Sequence, residues 1–215
     1  MTHQVNGLYR VGGSSLIASG LLVFARYMLD LLAGPPPSSG AAILAWAEAG
    51  RLPLILANEA LFVAAILLVP AVVALYVRLV AVARAKAALG CGIMAAAIPL
   101  LLMLDIVHGR LIYPVYGLRI ATPAEAELAV GQFYGGLHAV LIMMAVATIA
   151  LSLALRRVAH ARGIAYLGFL TGLFDVIGSY PWAIGPALTL ASQALFAAWF
   201  LAVGWMLYRT APRST

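Results

Sequence analysis

The chain has 215 residues, 65% of them hydrophobic and 9% charged, with a net charge of +6 and a mean hydropathy of +1.04. A soluble domain carries about 25% charged residues, so the composition argues against a soluble globular fold and predicts one integral membrane domain over residues 1–215. The positive charges sit in short stretches between apolar runs, which fits membrane topology and argues against nucleic acid as a partner; the single cysteine, Cys91, excludes an intrachain disulfide and a CxxC site.

A membrane span takes about 20 apolar residues. The first apolar run covers 11–32, too long for a cleavable signal. Its small residues Gly12, Gly13, Ser14, Ser15, Ser19 and Gly20 allow close helix packing. Near its far end Arg26 and Asp30 stand at i,i+4 on one face. The three prolines of GPPPSSG (34–40) end it. Residues 41–49 read as a short interfacial helix anchored by Trp46.

The second span, 52–77, carries Asn58 and Glu59 early and Pro70 as an expected kink. The third, 87–112, has Pro99 mid-span and Asp105 and His108 near its end. That i,i+3 spacing puts the acid and the imidazole on one face. The fourth is introduced by Thr122–Pro123–Ala124–Glu125, a capping box with proline at the first helical position. It spans 131–155 with Gln132, Tyr134 and His138. The fifth, 163–179, holds Asp175; the sixth, 187–208, is polar only at Thr189, Ser192 and Gln193.

These boundaries sort the basic residues. The N-terminus, second loop, fourth loop and C-terminus hold Arg10, Arg78, Arg84, Lys86, Arg156, Arg157, Arg162, Arg209 and Arg213, against Arg26, Arg51, Arg110 and Arg119 on the other side. The bias predicts six spans with both termini cytoplasmic, in a bacterial-type inner membrane.

Depths estimated from the helical rise place Glu59, Asp105 and His138 each roughly 10 Å below the outer surface, with His108, Asp175 and Arg26 close by. Ionisable groups in a span usually mark a site and should face one another. The expectation is an outer-leaflet pocket in which Arg26 neutralises Glu59, Asp105 or Asp175. Asp105, His108, Glu59 and Asp175 are its candidate catalytic groups; Arg26, His138, Asn58, Gln193 and Tyr134 are its candidate ligand contacts.

Three functional readings follow. The first is a small membrane enzyme or binding protein for a lipid-soluble molecule, with a buried Glu59 or Asp175 as acid and His108, oriented by Asp105, as base. The second is a proton-coupled transporter, for which a homodimer would supply the half that the absent internal repeat leaves out. In the third, His108, His138, Asp105 and Glu59 hold a divalent metal; otherwise no cofactor is expected. The plainer alternative is an ion-pair network that only fixes helix packing in an accessory subunit. For His138 alone, a hydrogen bond to a neighbouring carbonyl is the plain alternative. Lipid and a lipid-soluble molecule are the expected partners.

The last helix, ASQALFAAWFLAVGWMLYR (Ala191 to Arg209), and the total length and spacing resemble a bacterial family of six-helix membrane proteins known only as a domain of unknown function. The resemblance covers the last third of the chain. It implies a six-helix fold, no activity and no functional residue.

Overall fold

The computed structural model describes residues 2–210, with side chains from Asn6 onward; the side chain of His3 and all of Arg213 lie outside the described residues. The chain forms α1 (Thr2–Ala33), α2 (Gly40–Ala49), α3 (Arg51–Gly109), α4 (Pro123–Leu155), α5 (Arg162–Gly178) and α6 (Pro181–Thr210). It is all-α, and α1, α3, α4 and α6 are long and apolar enough to cross a membrane.

Helix α3 has 59 residues and would reach roughly 90 Å if straight. It folds back instead. Ala83 alone inside it leaves helical dihedrals (φ −153°, ψ 65°), and Asn58 and Asp105, 47 positions apart, are hydrogen-bonded. The arms 51–82 and 84–109 therefore run antiparallel. The expected loop between spans two and three shrinks to one residue, because the intervening Ala-, Arg- and Lys-rich stretch favours helix. Pro70 and Pro99 lie inside arms that stay helical.

The ends of the other helices follow local chemistry. Thr122 Oγ1 accepts from the Glu125 N–H at 3.3 Å while the Glu125 carboxylate accepts from the Thr122 N–H at 3.1 Å, completing the capping box of α4. In α6 the backbone breaks at Gly185, whose φ of 76° suits glycine. The Trp46 indole N–H turns back onto the carbonyls of Ala33 and Gly34, at 2.9 and 3.1 Å. It satisfies the end of α1, which the following prolines deprive of backbone donors.

Packing rests on small residues. Gly13 and Gly204 meet backbone to backbone between α1 and α6, Gly12 meets Ala74 of α3, and Gly136 of α4 admits Leu104. Ser19 ties α1 to the Ala64 carbonyl of α3 at 3.0 Å. Inside lies a core that includes Leu16, Leu75, Phe133, Leu151, Trp199 and Phe200. The outward face is apolar too: Phe62, Ile66, Val69 and Val73 form an exposed stripe on the first arm of α3. A helix apolar on both faces suits lipid on one side and core on the other.

Gly13 lies against Tyr208, so the start of α1 and the end of α6 share one end of the bundle, with the Ala83 reversal and the α4–α5 turn. At the opposite end Gly40 packs on Pro123, and its N–H donates to Glu127 at 2.7 Å. The first is the basic end. All seven acids lie in the other half.

Candidate functional site

The α3 hairpin builds a three-residue chain in the acid-bearing half. Asp105 and His108, nearly one turn apart, both face the first arm, where Asn58 meets them. The Asn58 amine donates to Asp105 Oδ2 at 3.1 Å, and its oxygen lies 3.0 Å from His108 Nδ1. An amide oxygen only accepts, so Nδ1 is the donor in this contact. The three residues are 7%, 3% and 2% exposed, so these bonds form away from competing water. Asp105 Oδ1 is buried with no partner among the described residues. The i,i+3 spacing thus put acid and imidazole on one face, but an amide from the other arm joins them.

Beside this chain stands Phe133. Its ring centre is 4.3 Å from that of His108, and the Arg26 guanidinium lies over it at 5.3 Å. Tyr134 is half-buried, edge-on to Phe133 at 5.1 Å. Arg26 pairs with Asp30 at 2.9 Å. This corrects the expectation that Arg26 neutralises Glu59, Asp105 or Asp175: Asp30 is one turn along the same helix, within reach without crossing to another.

Arg26 also borders a cavity of about 50 Å³ between the helices. Its walls are apolar side chains of α1, both arms of α3, α4 and α6, among them Leu61, Leu101, Leu137 and Phe196. Gln193 is its other polar wall, buried and with no side-chain hydrogen bond among the described residues.

The remaining predicted residues go elsewhere. Glu59 is exposed and accepts the Tyr113 hydroxyl at 2.7 Å. It follows Asn58 directly, and the turn of about 100° per helical residue carries it off the inward face. His138 donates from Nδ1 to the Ser179 carbonyl at 3.0 Å and packs on Tyr180 and Trp182. Asp175 is fully buried between α5 and α6, with Ser192 Oγ 3.5 Å from its Oδ1. The single pocket expected to unite Asp105, His108, Glu59 and His138 is therefore not formed, and none of the four lines the cavity. The four-ligand metal set is likewise unassembled; among the described residues no three His, Cys, Asp or Glu side chains group as ligands.

Sequence reasoning missed Phe133, which links Arg26 to His108. An isolated aromatic beside Tyr134 gives no sign of its partners. It also missed Asn58 as the bridge, because nothing local marks which of Asn58 and Glu59 turns inward.

No protein-family model, curated protein or solved structure matches the chain. Fold and site define an all-α protein with four helices of membrane-spanning length and a buried polar cluster in its acid-bearing half.

Proposed function

We propose that this is a six-pass inner-membrane protein of bacterial type, with both termini cytoplasmic, that binds a small lipid-soluble molecule. The single observation that carries the binding reading is the cavity at which Arg26 and Gln193 stand among apolar walls from four helices. Arg26 is already neutralised by Asp30, so the pair favours an uncharged acceptor, such as a carbonyl or ester oxygen, over a free anion. About 50 Å³ accommodates a polar head or a few waters, not a whole lipid.

Binding is favoured over catalysis because Asp105 and His108 stand outside the cavity wall. Phe133 stands between His108 and Arg26 and touches both. The α3 reversal turns four long helices into five arms of spanning length, and six passes are supported by the start of α1 and the end of α6 sharing one end of the bundle, which needs an even number of crossings with the 17-residue α5 as the sixth. The orientation is supported by the basic end and the acid-bearing half.

The test is a thermal-shift series in detergent with uncharged lipid-soluble carbonyl compounds: a long-chain methyl ketone, an ester and a short-chain quinone. At least one should raise the Tm of the native protein, and the gain should vanish in Arg26→Leu and Gln193→Leu. A gain that survives both substitutions rules the cavity out as the binding site.

A further inference from the structure

At the basic end the contact between α1 and α6 is built on glycine. A Cβ on Gly13 would collide with the Gly204 carbonyl and the Tyr208 backbone, so the two helices meet there backbone to backbone. Beside this crossing lies a trough. Ser14, Ile17, Ala18 and Leu21 line it from α1, at the spacing of one helix face, and Trp205 and Tyr208 line it from α6. It holds about 500 Å³. Leu21, Trp205 and Tyr208 are 52%, 49% and 43% exposed, so the trough opens to the outside of the bundle. It shares no residue with the Arg26 cavity.

The lining is apolar and the rim is basic. Ser14 gives its hydroxyl proton to its own helix, with the carbonyls of Arg10 and Val11 at 2.9 and 3.0 Å. At the rim the Arg209 guanidinium lies over the Trp205 ring at 4.6 Å, and the Trp205 and Tyr208 rings stack at 6.0 Å. The two rings therefore hold that charge at the mouth of the trough. Arg10 is exposed one turn beyond Ser14, on the same face of α1. No acid lies in this half of the bundle to neutralise the rim.

An apolar trough with a cationic rim matches a ligand that is apolar along its length and anionic at one end. From Ser14 to Leu21 the trough runs roughly 10 Å along α1, long enough for part of an acyl chain. A phosphate at its basic end meets guanidinium groups, which pair with phosphate oxygens through parallel N–H bonds. The exposed Tyr208 hydroxyl is a further donor at that level. A second copy of the chain matches this face poorly. Two copies in one membrane lie parallel, so a symmetric contact here would set Arg10 and Arg209 against their own counterparts with no acid between them.

We propose that the α1–α6 trough is a binding site for an anionic phospholipid. One acyl chain lies along Ser14, Ala18 and Leu21 against Trp205, and the phosphate is held at the rim by Arg209 and Arg10. The apolar lining takes the chain of any lipid; the two arginines select the negative headgroup. The site rests on the chain lying in a membrane, and neither on which end is cytoplasmic nor on the Arg26 cavity.

Tryptophan quenching of the full chain in liposomes tests this. The liposomes mix phosphatidylglycerol and phosphatidylcholine in equal parts, with bromine on the acyl chains of one or the other as the quencher. The Trp205 signal is the difference between the native protein and Trp205→Phe. It should be quenched about five-fold more strongly by the anionic lipid. Arg209→Lys should keep that preference, and an Arg10→Gln, Arg209→Gln double variant should abolish it. Added salt should weaken it in the native protein, a readout that needs no variant to fold. Quenching of Trp205→Phe by both lipids, through the exposed Trp182, reports that the chain lies in the bilayer. With that control in place, equal quenching of Trp205 by the two lipids overturns the proposal, as does a preference that survives salt or the double variant. A Trp205 shielded from both lipids overturns it too, and is the result expected where a second copy covers the trough.

Discussion

Asn58 and Glu59 are neighbours with opposite fates. Asn58 satisfies two buried groups at once. Asn58→Ala leaves Asp105 and His108 without that partner and should cost about 2–4 kcal/mol in equilibrium unfolding in detergent. Glu59→Gln keeps an acceptor for the Tyr113 hydroxyl at an exposed position and should change stability by less than about 0.5 kcal/mol. Equal effects would show that the amide bridge does not hold the hairpin. Arg26 is argued in the same way. Its side chain and that of Asp30 are 10% and 18% exposed, so Arg26→Ala strands a mostly buried acid at a cost of about 3 kcal/mol. A double Arg26→Leu, Asp30→Leu variant should lose less than the two single variants combined; strictly additive losses would mean that the two charges act independently.

At the scale of the element, glycines decide how closely helices approach. A Cβ on Gly204 would sit 2.7 Å from the Gly13 carbonyl and 2.8 Å from Ile17 Cγ1. Gly204→Ala should therefore destabilise by about 1–3 kcal/mol through overpacking, although alanine is the better helix former. Gly131 of α4 has nothing within 4 Å of its built Cβ, and Gly131→Ala should stabilise by about 0.5–1 kcal/mol. Unfolding curves for the pair separate packing from propensity, and a stabilising Gly204→Ala would show that α1 and α6 stand further apart. The elements themselves were largely legible. The capping box at Thr122 and Glu125, the prolines after α1 and the short α2 are local signals, and local chemistry realised them. The reversal at Ala83 was legible only as a region, since no glycine or proline marks the residue.

The whole molecule separates its charges, and the proposed orientation makes that measurable. Cys91 is buried, whereas Ser39 and Ala85 are exposed at opposite ends. A cysteine at position 39 should react with an impermeant thiol reagent applied to intact cells, and one at position 85 only after the cells are opened. The reverse pattern would invert the topology and place the Asn58–Asp105–His108 chain on the cytoplasmic side. Among the described residues both Asp105 and Asp175 have a buried oxygen without a partner, yet Asp105 meets Asn58 within the α3 hairpin and Asp175 meets Ser192 between α5 and α6. Equal depth in the bundle therefore did not amount to a shared site.

By itself the sequence determined the helical class, the apolar lengths, the breaks at proline-rich stretches and the segregation of basic from acidic residues. Each depends on composition or on residues within one or two turns. Only the tertiary structure decided which polar groups meet. Arg26 and Asp30 were visible as a pair at i,i+4, but that Arg26 would stay with Asp30 depended on what the other helices offered. Whether Asn58 or Glu59 turns inward depended on an arm 47 residues away, and the same holds for His138 against Ser179, 41 residues on. Helical periodicity fixes the angle between neighbouring side chains; the face that turns inward is set by packing against helices far off in the chain.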